Sequence, residues 1–194
     1  EVYLSHESKR GDLGYLVNLS YIKTADVFSQ TKIKTTTEEH DDRSFNEMVT
    51  LTPKMTYDVD RYNKIGWDGF FSKGNGREIN GVTISDGTNR NETSKESNGM
   101  AKSSLKWIRS TPDGSKLVAM FTGYDIVSSS LTQGMTTGVS SLYDDSRFRD
   151  SGFGTRGFYQ KLLGDQMIKS GWEVMNKEHK ERQYRTVNGS YTAT

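Results

Sequence analysis

The residue types that usually carry catalysis or bind metals are scarce in this sequence. The chain has no Cys, which excludes thiolate nucleophiles, disulfides and most structural zinc sites. Its three histidines, His6, His40 and His179, are scattered, so no metal site is expected. The acidic pairs Asp41-Asp42 and Asp144-Asp145 are typical of turns, because carboxylates adjacent in sequence seldom converge on one substrate atom.

One glycine motif, Arg149-x-x-Gly152-x-Gly154, precedes a segment that the sequence predicts to be a helix. It resembles the loop with which acetyl-CoA-dependent N-acetyltransferases hold the pyrophosphate of their cofactor at a helix N-terminus. The resemblance implies that the two glycines approach the phosphates and that Tyr184 is the general acid. The first half of the chain favours strands where that fold needs two helices, so this activity is an alternative hypothesis.

Composition limits the remaining classes of function. The chain has 194 residues, of which 32% are hydrophobic, and its mean hydropathy is −0.77. Its net charge of +1 is low for a nucleic-acid-binding protein, so single-stranded nucleic-acid binding is only a second alternative and no nucleic-acid partner is expected. No run of 18 apolar residues occurs, so the sequence predicts no membrane span.

Two similar segments organise the chain. Residues 60–68 and 165–173 both begin with an acid, continue with a Lys four positions later, and end with Gly-Trp and a second acid. A nearly equal spacing separates two apolar runs that follow Asp12 and Asp113. The repetition predicts two related units.

Hydrophobic periodicity predicts the elements of each unit. A period of two predicts a strand at 15–23, and further strands are expected at 45–51, 67–71, 116–124 and 172–175 from their place in each unit. Helices are predicted at about 54–65 and 155–170. Five residues have structural roles in this prediction, as the first turn of a helix, as helix terminators, or as hydrophobic plugs at helix ends: Pro53, Gly66, Trp67, Gly171 and Trp172.

The predicted fold class is therefore α+β. It consists of two small repeats, each a short antiparallel sheet with one helix, joined and flanked by long irregular arms. The predicted divisions are an N-terminal arm (1–12), a first unit (13–72), a Gly/Asn/Ser-rich linker (73–110), a second, diverged unit (111–176) with a long loop (126–151), and a charged and polar tail (177–194).

The heptapeptide Ser29-Gln-Thr-Lys-Ile-Lys-Thr35 resembles a motif of the small linker polypeptides of phycobilisomes, which cap rods and core. In that family the motif follows a first strand, and a strand, a helix and a glycine turn come after it. The resemblance covers the first unit and extends more weakly to the second. Trp67 and Trp172 stand where the family has a second glycine.

The resemblance implies a non-enzymatic linker of the photosynthetic antenna, placed inside phycobiliprotein hexamer rings, where it organises their stacking and tunes energy transfer. The location would be the stromal or cytoplasmic face of a chloroplast or cyanobacterial thylakoid. No cofactor would be bound covalently, although bilins of partner subunits would be contacted. The residues expected to meet the acidic ring or its pigments are Lys32, Lys34, Arg43, Arg61, Lys64, Phe70, Phe71, Phe148, Arg149 and Phe153.

Overall fold

The computed structural model describes residues 1–32, 38–84, 89–136, 140–187 and 190–193. These residues form nine strands. The strands are β1 (Val2–Arg10), β2 (Leu13–Lys32), β3 (Glu38–Asp58), β4 (Asn63–Ile84), β5 (Asn89–Ser110), β6 (Lys116–Thr136), β7 (Ser140–Leu163), β8 (Gln166–Val187) and β9 (Ser190–Ala193).

The nine strands form one antiparallel sheet in which spatial order equals chain order. Within the described ranges each strand contacts only its neighbours in this sheet, so the sheet is a single layer. Strands β2 to β8 have 20 to 24 residues each, which makes them roughly 70 Å long. Strands of globular proteins usually have about 3–10 residues. A sheet of such long strands with no second layer leaves both of its faces uncovered.

Tight turns join the strands at one end of the sheet, which we call the short-turn end. The turns follow β1, β3, β5 and β7, and Gly11 and Gly164 occupy two of them with φ of 59° and 62°. Leu163 pairs directly with Gln166, so β7 and β8 are joined by two residues only. A left-handed glycine in a two-residue connection is typical of a β-hairpin.

Aspartates stabilise the other two turns. In the turn after β3, Oδ1 of Asp60 accepts backbone N–H hydrogen bonds from Tyr62 at 2.7 Å and Asn63 at 2.8 Å. The side-chain amide of Asn63 also donates to Asp60 and is the chief cause of its lowered pKa. In the turn after β5, hydrogen bonds from Thr111 and Ser115 lower the pKa of Asp113 to about 2.

The prediction of a helix in each of two repeats is wrong. Residues 54–65 contain the end of β3, a turn and the start of β4, and residues 155–170 contain the end of β7, a turn and the start of β8. The spacing of Met55, Val59 and Tyr62 fits a helix, but Pro53, Met55 and Tyr57 also alternate as in a strand. Short apolar runs satisfy both periods, and here the ladder with the neighbouring strands selects the extended conformation.

The five structural residues therefore have other roles. Gly66 and Gly171 lie inside β4 and β8, and neither is among the glycines with positive φ. Pro53 lies in β3, where the ladder to β4 is interrupted at this position and resumes in the same register. The interruption follows from the missing N–H of proline. Trp67 and Trp172 lie in strands and cap no helix.

The five predicted strands are confirmed, since each lies within β2, β3, β4, β6 or β8. The segments expected to be irregular are extended as well. Within the described ranges, β1 occupies most of 1–12, β4 and β5 run through 73–110, β6 and β7 run through 126–151, and β8 and β9 occupy 177–193. The two Gly-Trp segments are equivalent because each starts a strand that follows a turn at the short-turn end.

Candidate functional site

The two faces of the sheet differ in chemistry over much of their height. Side chains that are direct partners in the ladder point to the same face. The chain of partners from Ile65 through Trp107, Ala119 and Gly157 to Trp172 defines one face, and Trp67 lies two residues from Ile65 on it. All three Trp residues of the protein therefore share one face, which we call the tryptophan face. The opposite side is called the polar face.

A charge-free zone crosses the tryptophan face near the short-turn end. On each of β2 to β8, the residues of this face are uncharged over seven to eleven positions. On β2 and β3 they are large and apolar, whereas on β4 to β8 large apolar residues alternate with Gly, Ala, Ser, Thr, Asn or Gln. We call this zone the apolar band. Its limits are 13–21 on β2, 49–57 on β3, 63–71 on β4, 97–107 on β5, 117–123 on β6, 151–159 on β7 and 166–176 on β8.

The apolar band is also the more exposed side of the sheet. Leu105 and Phe121 are 53% and 52% exposed, and Val174 is 65% exposed. Of the three most buried side chains in the described ranges, Ser104 (3% exposed) and Val118 (7%) lie on the polar face, and Ser115 (6%) lies in the turn after β5. This is the reverse of an ordinary water-soluble sheet, which buries its apolar face and exposes its polar one. A continuous exposed apolar surface marks a binding surface.

Aromatic rings of the apolar band are fixed by their neighbours across the strands. The indole of Trp172 lies over Gly157, where a side chain would overlap it, and Nε1 of Trp172 donates to Oγ1 of Thr155 at 3.1 Å. Nε1 of Trp67 likewise donates to Oγ of Ser103 at 2.8 Å. Both indole N–H groups are thus satisfied inside the band, so no polar atom of these rings needs water.

The polar face has a mixed surface at the same height. Its strand positions include Lys102, Lys106 and Arg156, which lie between Ser, Thr and Met residues. Oγ of Ser104 and Oγ1 of Thr122 are 3.1 Å apart across β5 and β6. Charged and hydroxyl groups on this face are therefore within a few ångströms of the uncharged band, separated from it by the thickness of one strand.

Beyond the apolar band, the tryptophan face becomes charged. Arg149 forms two hydrogen bonds of 2.8 Å to the carboxylate of Asp125, which raise the pKa of Arg149 and lower that of Asp125. Arg147 binds Asp145 in the same manner at 3.1 and 3.2 Å. Between β3 and β7 this region forms an open groove of about 890 Å³, whose charged lining consists of Arg77, Lys95, Glu96, Asp145 and Arg147.

The residues predicted to meet a partner are divided between the two faces. Phe71, Arg149 and Phe153 lie on the tryptophan face, and the ring of Phe153 is 6.5 Å from that of Phe121. Lys64, Phe70 and Phe148 lie on the polar face, where Nζ of Lys64 is 3.1 Å from Asp58 and Phe148 stacks on His179. The residues predicted to meet a partner therefore do not form one surface, and even the adjacent residues Phe70 and Phe71 lie on opposite faces.

The other four residues predicted to contact a partner are Arg61, Lys32, Arg43 and Lys34. Arg61 lies in the turn after β3, with its guanidinium 4.5 Å from the ring centre of Tyr62. Lys32 and Arg43 lie in β2 and β3, and their side chains are outside the described part of the structure. Lys34 is outside the described residues altogether.

The glycine motif is part of a strand. Gly152 and Gly154 lie inside β7, which is paired on both sides, and Gly152 lies against the ring of Tyr124. Tyr184 is in β8 with the guanidinium of Arg182 4.4 Å from its ring centre. Because no helix follows the motif, its backbone N–H groups do not form a helix N-terminus, and the geometry gives the N-acetyltransferase hypothesis no support.

Sequence reasoning did not single out most of the apolar band, including Leu105, Trp107 and Phe121. The signal was present as a period of two in every strand, but on β5 and β7 Gly, Ser and Thr dilute it. The described residues show no membrane-spanning helix and no metal site in addition to this surface. The described ranges contain no helix that is long and apolar enough to cross a membrane, and no group of three metal-ligating side chains.

No protein-family model matches this chain, and no curated protein matches it. The resemblance to phycobilisome linkers therefore stays a prediction.

Proposed function

We propose that this protein is a non-enzymatic, membrane-embedded β-sheet whose apolar band lies against the hydrocarbon chains of a lipid bilayer. The observation that carries the proposal is the uncharged band itself, which crosses seven consecutive strands on the more exposed face. Charged side chains are excluded from lipid because transfer of a charge into hydrocarbon costs several kcal/mol. In contact with water alone, such a large apolar surface would have no stabilising partner.

The height of the band supports lipid as its partner. The stretches on β2 (13–21) and β3 (49–57) have nine residues each, about 27 Å along the strand. A strand that crosses the hydrocarbon core needs about 9–11 residues. The strands themselves are roughly twice this length, so their far ends extend well beyond the band.

The position of the amphipathic aromatic residues gives independent support. One row of ladder partners contains Tyr57, Trp107 and Trp172, and the next row contains Tyr15 and Trp67. All three Trp thus lie in two adjacent rows near the short-turn end. Trp and Tyr are enriched at the boundary between hydrocarbon and headgroups, because one part of the ring is apolar and the other is polar.

The backbone also suits a lipid environment. Each of β2 to β7 is paired with both neighbours along most of the band, with one interruption between β3 and β4 at Pro53, and β8 has β9 beside it only at Tyr184–Val187. Unpaired N–H and C=O groups are costly in hydrocarbon. The proposal therefore requires further strands along the outer edges of β1 and β8, and it assigns the polar face to a water-filled or protein-filled space.

The phycobilisome-linker hypothesis is the rival explanation of the same surface. A biliprotein ring would then cover the tryptophan face in place of lipid. Protein interfaces have an apolar core with a polar rim and interspersed hydrogen bonds, and their whole area is only about 56–58% apolar. A band without any charge across seven strands fits hydrocarbon better.

The three Trp provide a direct test. The full chain is refolded with phosphatidylcholine vesicles, and Trp fluorescence is measured with lipids brominated at increasing depth along the acyl chain. We expect strong quenching by acyl-chain bromines, because all three indoles lie on the lipid-contacting face. Retention of a β-sheet circular dichroism spectrum with no quenching at any depth would contradict the proposal.

Two adjacent residues give the matched control. Phe71 lies on the tryptophan face and Phe70 on the polar face. In a background with Trp67, Trp107 and Trp172 changed to Phe, Phe71→Trp should be quenched by bromolipids and Phe70→Trp should be protected from them. Equal quenching of the two variants would show that the sheet does not present one face to lipid.

A further inference from the structure

The tryptophan face carries three pairs of cations that are direct partners in the ladder, beyond the apolar band on the side away from the short-turn end. Arg77 is paired with Lys95 across β4 and β5. Arg147 is paired with Arg182, and Arg149 with Lys180, across β7 and β8. We call these six residues the basic belt. Direct partners have Cβ atoms only about 4.5–5.5 Å apart, and like charges at this distance destabilise a sheet unless an anion lies between them.

Carboxylates offset part of this charge, but not at Arg77 and Lys95. Arg147 and Arg149 are bound by Asp145 and Asp125, and Nζ of Lys180 is 2.8 Å from Glu178. Among the described residues no carboxylate forms an ion pair with Arg77 or Lys95. The belt therefore has its least compensated charge at one pair.

That pair lies in the groove of about 890 Å³. One row of ladder partners crosses the groove and reads Phe45, Arg77, Lys95, Leu131 and Asp145. Two adjacent cations are thus flanked by an aromatic and an aliphatic side chain. A ligand that matches this row has an anionic group and an apolar part.

The path from the groove toward the band passes apolar side chains and the ion-paired Asp125. Val127 lines the same groove, is 43% exposed, and lies two positions from the charged margin residue Asp125 on β6. Below it on the same face are Gly123 and Phe121 of the band. An anion held at Arg77 and Lys95 would therefore have its hydrocarbon chains over the apolar band.

We propose that the basic belt, centred on Arg77 and Lys95, binds the phosphate groups of anionic lipids whose acyl chains cover the apolar band. This inference rests on the proposed function and specifies which lipids the sheet prefers. Arginine is suited to phosphate because its guanidinium donates two parallel hydrogen bonds, and lysine adds a point charge. Cations near an anionic surface strengthen lipid association additively.

The test is a competition between two lipids around the refolded full chain. The Leu131→Trp variant places a reporter in the groove, and its quenching by brominated phosphatidylglycerol is compared with that by brominated phosphatidylcholine. We expect a preference for phosphatidylglycerol that falls about fivefold for each cation removed in Arg77→Gln and Lys95→Gln. The control double variant Lys102→Gln, Lys106→Gln removes the same charge from the polar face and should keep the preference.

The outcomes separate the two proposals. Quenching of the native Trp residues by both lipids without any preference at the reporter would overturn the lipid-phosphate site and leave the membrane proposal intact. Absence of quenching by either lipid would overturn both. Loss of the preference when millimolar inorganic phosphate is added would show a site for the free anion, and would overturn the assignment to lipid headgroups.

Discussion

The two faces of this sheet consist of alternating residues of the same strands, and their exposure and polarity differ strongly between adjacent residues. On β5, Ser104 and Lys106 lie on the polar face, and Leu105 and Trp107 lie on the tryptophan face. Ser104 is 3% exposed and Leu105 is 53% exposed. In this pair the apolar side chain is the exposed one and the polar side chain is the buried one, so the face on which a residue lies decides its exposure. Such an inverted distribution is the reason for proposing an apolar medium outside the tryptophan face.

The chemistry of the tryptophan face also changes along the length of the strands. The band near the short-turn end has no charge, whereas the far part carries cation pairs and bidentate Arg–carboxylate contacts. A charged zone that directly follows an uncharged one matches the sequence of environments from hydrocarbon to headgroups. The polar face has no such boundary, because charged residues occur on it at both heights.

The largest effect is expected from a charge placed in the band. Phe121→Asp puts a carboxylate in the middle of the uncharged stretch of β6, between Leu105 and Thr155. We expect insertion into vesicles to weaken by about 2–3 kcal/mol, somewhat below the cost of an Asp side chain at the bilayer centre, because Phe121 shares a ladder row with Trp67. Equilibrium unfolding from vesicles measures this change.

The matched control is Met120→Asp, one residue earlier and on the polar face. There the new carboxylate would lie between Lys106 and Arg156, its direct ladder partners. Cross-strand partners of opposite charge stabilise a sheet, so we expect little loss. If both variants lose equal amounts of stability, the two faces do not meet different media.

A smaller effect is expected from filling the space under an indole. A Cβ at Gly157 would overlap the backbone carbonyl of Val118 and the ring of Trp172. Gly157→Ala should therefore cost about 1–3 kcal/mol of unfolding free energy, because the close-packed neighbours must shift. Gly99→Ala, on the same face, meets only the carbonyl oxygen of Ser72 at 4.0 Å and should change stability by less than about 0.5 kcal/mol. Urea unfolding compares the two, and a Gly99→Ala loss as large as that of Gly157→Ala would contradict the assigned packing.

The smallest effect concerns the turn that sets the register of β5 against β6. A slip of one residue would exchange the two faces of a strand, and the hydrogen bonds of Asp113 to Thr111 and Ser115 oppose it. The folded state lowers the pKa of Asp113 from 3.8 to about 2, so its contribution to stability is complete above pH 4 and is lost as the pH falls toward 2. Asp113→Asn should be less stable than the parent chain at pH 5, and the difference should vanish near pH 2. A difference that is independent of pH would exclude the carboxylate as its cause.

The sequence revealed the strands more reliably than the architecture. Tyr15, Val17 and Leu19 alternate with smaller or polar residues, and this segment is a strand in the structure. The segment from Pro53 to Tyr62 was predicted to be a helix because its apolar spacing fits a period near four as well as a period of two. Only pairing with β2 and β4 separates these two readings, and partners distant in sequence are invisible to a local pattern.

The candidate surface was predicted only in part. Trp67 and Trp172 were recognised as structural residues, and Phe71 and Phe153 as partner-contacting ones, but Trp107 was not connected with them. The sequence has no long apolar run, and the described ranges contain no helix that could span a membrane. That criterion does not detect a sheet face, because the polar residues of the other face interrupt every run.

The sequence alone determined the alternation of apolar residues in strands such as β2 and the scarcity of catalytic and metal-binding groups, but it placed Asp60 and Gly164 in predicted helices and not in turns. Alternation and composition can be read from neighbouring residues, whereas the choice between a helix and a hairpin depends on pairing with distant strands. The tertiary structure alone decided that seven strands align their uncharged stretches into one band and their cations into one belt. Register between strands fixes that alignment, since it is set by pairing across the whole sheet.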